Sequence, residues 1–211
     1  MFPMKSIQVR SYEMGLHFHD EEFCGVLAEG RHRLFDLLNK VRVDVVSRRD
    51  PWLQHAKLDV IVKSGALKDH AIVVDLKDHQ RGLVSIDGRF SHVLPPGLYA
   101  YWLGFKDVQV EIVDARKVQF EHVDLRVIAR SPMVGHVLDL CTINRQCVGV
   151  LFIDGRYIDT LEPGQYAFWK GAGDAKLVEV DLRESMADVS GQEIMTLDKV
   201  SVRMNAVVTY H

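Results

Sequence analysis

The chain has 211 residues, 47% of them hydrophobic and 26% charged, with a formal net charge of -3. This mix lies in the ordinary globular range, so disordered and collagen-like classes are excluded. Acids and bases are interspersed, leaving neither the basic stripe that nucleic acid needs nor a polybasic membrane patch.

The opening residues, MFPMKSIQVRSYEMG, lack the apolar core of about 7–15 residues that defines a signal peptide. No uncharged run approaches the roughly 18 residues of a membrane-spanning helix. Three cysteines, Cys24, Cys141 and Cys147, form no CxxC pair, which fits a reducing, cytoplasmic setting better than a disulfide framework.

From Gly15 onward the chain repeats. Gly15, Gly82 and Gly149 lie 67 residues apart, and each opens the same run of landmarks. GLVSIDGRFSHVLPPGLYAYW (82–102) and GVLFIDGRYIDTLEPGQYAFW (149–169) are identical at eleven of twenty-one positions without a gap. GLHFHDEEFCGVLAEGRHRLF (15–35) has diverged further but keeps Asp20, Leu27, Gly30 and Phe35 in register. Asp114-Ala-Arg116 and Asp181-Leu-Arg183 again differ by 67. The period divides the chain into repeat one (1–68), repeat two (69–136) and repeat three (137–211), each near the size at which a lone core is marginal. Neighbouring copies are therefore expected to pack on one another.

Within a repeat the local chemistry is readable. The apolar run Cys147 to Ile153 ends at Asp154-Gly155, matched by Asp87-Gly88, and an Asp-Gly pair between such runs predicts a type I′ hairpin. The return strand, Arg156 to Leu161, stops at Glu162-Pro163-Gly164, matched by Pro95-Pro96-Gly97, because proline fixes φ and offers no donor to a sheet. A third strand then carries Tyr99, Tyr101 and Trp102, or Tyr166, Phe168 and Trp169, with a core role expected for both tryptophans. The alternation of Val41, Val43 and Val45, and of Val108, Val110 and Ile112, predicts a fourth, half-buried strand. In repeat three the alternation shifts to Val178, Val180 and Leu182, after Gly171-Ala-Gly173. Short helices are expected between repeats: one beginning at Asp50-Pro51-Trp52, as N-cap and N1, and one over Asp124 to Ser131, ended by Pro132. Strands Ala71 to Leu76 and Val137 to Ile143 lead into the next copies. The expected fold is mainly β (α+β), with three tandem β-rich units, each carrying a short helix.

The third copy continues through Asp181-Leu-Arg-Glu184, Val189-Ser-Gly-Gln192-Glu193-Ile-Met-Thr196-Leu-Asp198-Lys-Val200 and the alternating run SVRMNAVVTY (201–210). Together with the GRY return strand and the PG turn, this order of elements resembles the start of the stomatin, prohibitin and flotillin (SPFH, band seven) domain, with the bacterial slipins the nearest subgroup. The likeness covers Gln146 to His211 and, through the repeat, extends in weaker form over the chain. Gly149, Gly164, Asp181, Arg183, Gln192, Glu193, Thr196 and Asp198 carry that signature, and their expected role is structural. The resemblance implies a non-enzymatic scaffold without cofactor that forms homo-oligomers in the full-length protein, meets protein partners and associates peripherally with a membrane, at the cytoplasmic face of the inner membrane. Relatives usually carry a hydrophobic anchor where this chain has two added units, and the domain is expected to run on past His211.

Other constellations suggest chemistry more weakly. His17 and His19, at positions held by valine, isoleucine or leucine in the other copies, sit two apart on a strand and point the same way. With His32 or Asp20 as a third ligand they are metal candidates, or the strand senses pH or binds a ligand. Cys141 and Cys147 flank Asn144-Arg145 and could face each other across a hairpin. A cysteine nucleophile with His136 lacks any third orienting group. No phosphate-binding glycine loop, GxSxG or HExxH occurs.

Overall fold

The computed structural model describes residues 4–36 and 38–210; His211, the last residue of the family likeness, lies outside them. The protein is mainly β. The chain divides into two compact units, Met1–Lys117 with Arg126–Val137, and Val118–Leu125 with Leu138–His211.

The first unit holds β1 (Met4–Val9), β2 (Glu13–His19), β3 (Glu22–Leu27), β4 (Gly30–Phe35) and β5 (Val41–Ser47). After α1 (Leu58–Lys63) it continues with β6 (Ala71–Leu76), β7 (Gln80–Ile86), β8 (Arg89–Leu94), β9 (Gly97–Trp102) and β10 (Val108–Asp114). Two three-stranded antiparallel sheets, ordered β3-β2-β5 and β8-β7-β10, alternate with two-stranded pairs β1-β4 and β6-β9. The strand after each proline-glycine turn thus leaves the hairpin it follows: β9 pairs with β6, not with β8. The helix α2 (Leu125–Ile128) falls where the chain passes between units.

The second unit contains β11 (Gln119–Phe120), β12 (Leu138–Ile143), β13 (Cys147–Ile153), β14 (Arg156–Leu161), β15 (Gly164–Trp169), β16 (Ala175–Asp181), β17 (Ser185–Met195) and β18 (Ser201–Tyr210). Its sheets are ordered β14-β13-β16 and β11-β15-β12, with β17-β18 a separate hairpin.

Equivalent residues do equivalent work. Both central turn residues have positive φ at Asp20-Glu21, Asp87-Gly88 and Asp154-Gly155, as a type I′ turn demands. The turn aspartate also grips the strand arriving twenty residues later. Asp87 N–H donates to the Asp107 carbonyl at 2.8 Å and Asp87 Oδ1 accepts from Asp107 N–H at 3.0 Å; Asp154 and Asp174 repeat both bonds at 3.0 and 2.9 Å. In the first copy Asp20 N–H donates to the Lys40 carbonyl, and Lys40 Nζ reaches the carboxylate at 2.6 Å. A bulge interrupts each hairpin at the same place, after His17, Val84 and Leu151. The landmark glycines mark close approach of packed layers: a Cβ on Gly15 would stand 3.1 Å from Leu27 Cβ, one on Gly82 3.2 Å from Leu76, Leu94 and Val110, and one on Gly149 would land on Ile143.

Among the described residues, buried clusters form cores within each unit. Met14, Leu16 and Phe18 from β2 meet Leu53, Ile61, Leu67, Ala71, Ala100 and Trp102. Val84 and Leu94 pack with Val74, Leu76, Tyr101 and Val108. In the second unit Ile143, Leu151, Leu161 and Phe168 form the centre. Because side chains alternate along β9, Tyr101 enters one core and Trp102 the other. Trp102 and Trp169 are both buried, as expected of core residues.

Three expectations are corrected. The first helix begins at Leu58 rather than at Asp50, because Pro51 and Leu53 bond to β9: Trp102 N–H donates to the Pro51 carbonyl at 2.7 Å and Leu53 N–H to the Ala100 carbonyl at 2.9 Å. Asp50 instead accepts from Trp52 N–H in a local turn. The alternation of β16 does not shift, since the Asp154 to Asp174 clamp fixes its register and turns Ala175 and Leu177 into the core, leaving Val178, Val180 and Leu182 exposed. Cys141 and Cys147 do not face each other across a hairpin, because β12 pairs with β15 and β13 with β14 and β16. The alternating run of β18 has no buried face: Val202, Met204, Val207 and Val208 are exposed. Among the described residues no helix is long and apolar enough to cross a membrane.

Candidate functional site

A cleft of about 340 Å³ lies in the first unit where the Asp20-Glu21 turn, the start of β5 and the segment before α1 converge. Its organising residue is Asp44 on β5. One carboxylate oxygen accepts from Arg42 Nε at 2.8 Å and the other from His55 Nε2 at 3.2 Å. His55 Nδ1 accepts from the Lys57 backbone N–H at 3.1 Å, which places the ring proton on Nε2. The imidazole stacks on Phe18, centroids 5.4 Å apart and planes 11° from parallel. Lys57 Nζ lies 5.7 Å from the same ring and donates to the Glu21 carboxylate at 2.7 Å.

Every charge in this cleft has a partner. Lys40 holds Asp20, Lys57 holds Glu21, and Arg42 with His55 holds Asp44. Burial would raise the Asp44 pKa, but the hydrogen bonds from Arg42 and His55 outweigh it and keep the carboxylate below its ordinary range. Lys40 and Lys57 do the same for Asp20 and Glu21. Both ring nitrogens of His55 are thus committed, Nδ1 to the Lys57 amide and Nε2 to the Asp44 carboxylate. The arrangement suits recognition by paired charges over an aromatic floor.

The sequence missed this site although the signal was present. His55 and His122 are also 67 residues apart. His122 repeats the motif, its Nδ1 accepting from Asp124 N–H at 3.0 Å and its ring stacking on Phe120 at 5.9 Å and 4°. Each histidine stands just ahead of a short helix and satisfies an amide that the helix itself leaves unpaired.

The residues singled out from sequence are distributed differently. His17 lies at the position of the core residues Val84 and Leu151, half-buried, and its Nε2 is enclosed without a hydrogen-bond partner. Burial, and secondarily the neighbouring His19, push its pKa down. His19 is exposed at the strand end, and His32 Nε2 donates to the Ala28 carbonyl at 2.8 Å. Among the described residues no group of three His, Cys, Asp or Glu side chains comes together that could hold a metal, so His17, His19 and His32 do not converge. Burial and Asp139 push the Cys141 thiol up, away from a reactive thiolate. His136 sits in a single 3-10 turn, Val134–His136.

Asp181 and Arg183 form a forked pair, with Arg183 Nε 3.0 and 2.9 Å from the two carboxylate oxygens and the Arg183 N–H 2.9 Å from Oδ1. Asp114 and Arg116 reproduce it. Arg183 and Arg116 hold their aspartates down at about 2. Thr196 closes the β17-β18 turn, its Oγ1 donating to the Val200 carbonyl at 2.9 Å, and it also lowers the Asp198 pKa. Gln192 and Glu193 stand opposite Met204 and Arg203 on exposed strand. Gly164 opens β15. Comparison with family models, curated proteins and solved structures returned no match.

Proposed function

We propose that the chain is a non-catalytic scaffold of the stomatin-like type, built from three tandem units with the period of 67 residues read from the sequence. The common strand order of β3-β2-β5, β8-β7-β10 and β14-β13-β16, with the same turn and bulge in each, supports the tandem reading. The observation that carries the scaffold reading is the β17-β18 hairpin, formed by the segment that resembles the SPFH domain. All its large apolar side chains, among them Met186, Ile194, Val202 and Met204, are exposed. A lone two-stranded hairpin is marginal in water, and apolar patches of this kind mark interaction sites. Its chemistry is contact with other protein surfaces, its own copies included, at the periphery of a membrane; nucleic acid is not a partner.

The test is the mass of the native protein in solution by light scattering across a concentration series. Growth beyond the monomer supports the reading, and a monomer at every concentration overturns it. A second reading, a pH-sensing module based on the His17 and His19 strand, is favoured by one observation, the enclosed and unpartnered Nε2 of His17.

A further inference from the structure

The first unit contains a finished junction between successive copies. The outward face of β2 (Met14, Leu16, Phe18) is buried against Ala71, Ala100 and Trp102 of the β6-β9 pair, with Leu53, Ile61 and Leu67 of the linker filling the margin. One surface of that junction recurs in the second unit without a cover. Val148, Val150 and Phe152 of β13 occupy the positions of Met14, Leu16 and Phe18, yet each retains solvent exposure. Beside them Tyr157 is 59% exposed, Val178 38% and Val180 42%. Their counterparts in the first copy, Phe23 and Val46 for Tyr157 and Val180, pack against the buried cluster.

The other surface also recurs uncovered. The β1-β4 pair occupies the place of β6-β9, so Met4 stands for Ala71 and Phe35 for Trp102. Trp102 is 1% exposed and Ala71 6%, whereas Phe35 is 65% and Met4 53% exposed. The chain's own continuation does not close the β13 face. The β17 residues standing where Leu53 and Ile61 would be, Ala187 and Met195, are themselves exposed.

We propose that a second copy of this chain completes the junction, its β1-β4 pair covering the exposed β14-β13-β16 face as β6-β9 covers β3-β2-β5. The inference rests on the tandem-unit reading and specifies one surface of the scaffold. Two unlike patches meet, so the contact is heterologous and propagates from chain to chain. Arg33 replaces the buried alanine of the other copies on the covering pair, and Tyr157 lies on the face it would meet; arginine and tyrosine are both enriched at protein interfaces.

The experiment uses the whole chain in sedimentation equilibrium. Wild type is expected to exceed the monomer mass of 24.0 kDa in a concentration-dependent way. Val180→Asp, with Val178→Lys as a second variant of the same face, and Phe35→Asp are each expected to return it to the monomer. All three sites are exposed, so unchanged circular dichroism and thermal midpoint establish that the variants fold. A mixture of Val180→Asp with Phe35→Asp retains one intact face on each partner and is expected to give dimers and nothing larger. Wild-type assembly that survives all three substitutions overturns this junction and leaves the scaffold reading standing. Loss of assembly through the β13 face alone, with Phe35→Asp still self-associating, overturns it in favour of a symmetric contact. A wild type that never leaves the monomer overturns both.

Discussion

Replacing His17 with valine tests whether the first copy carries a polar group in a core position. The other copies place Val84 and Leu151 there, almost fully buried. In the first copy the imidazole Nε2 is enclosed without a partner, and an unsatisfied buried polar atom costs about 1–3 kcal/mol. His17→Val is therefore expected to stabilise the protein by about 1 kcal/mol at neutral pH, the low end of that range because the residue is only partly buried. The sign of the pH dependence follows from the depressed pKa. The unfolded chain takes up its proton first as pH falls through about 6.5, so wild-type stability declines from there until pH passes the lower folded-state value. A single such proton sets a limiting slope of about 1.4 kcal/mol per pH unit. The advantage of the variant should be constant above neutrality and widen as pH falls toward 5. Urea denaturation followed by tryptophan fluorescence at several pH values measures it. A gap that stays constant with pH, or a variant less stable than wild type, refutes the argument.

Other consequences follow from the same packing. Gly149→Ala should cost about 1–3 kcal/mol by overpacking, and more than Gly82→Ala, since its added carbon meets Leu177 at 2.9 Å as well as Ile143; chemical denaturation ranks the two. Gly88→Ala and Gly155→Ala meet no neighbour within 4 Å, so any loss is a backbone effect of positive φ, about 1 kcal/mol each in the same assay. Asp114 and Asp181 should titrate near 2 by carbon NMR, and Arg183→Ala should move Asp181 alone toward about 3.9. With folded-state values depressed, whatever stability these pairs lend is complete above the unfolded value and fades as pH falls through about 2.

Much of the fold was legible because it is local. An Asp-Gly pair reports a two-residue turn wherever it stands, and the period of 67 places one at Asp87-Gly88 and again at Asp154-Gly155. The return strands and the breaks at Pro95-Pro96 and Pro163 lie where the sequence put them. The family signature was legible as strand and turn but silent on burial, and its β18 alternation is exposed on both faces. The cleft was hidden for another reason. Asp44 and His55 are eleven residues apart and carry no motif spacing; only the recurrence of histidine at 122 pointed to them.

The sequence by itself determined the repeat, its turns and the strand-rich class, since each depends on side chains within a few residues of one another. The tertiary structure alone decided which faces those strands present. It took β9 away from β8, turned Ala175 and Leu177 inward in place of Val178 and Val180, and enclosed His17 where a valine would sit. A strand has two faces of equal standing until a partner fixes its register, and here that partner is an aspartate twenty residues upstream.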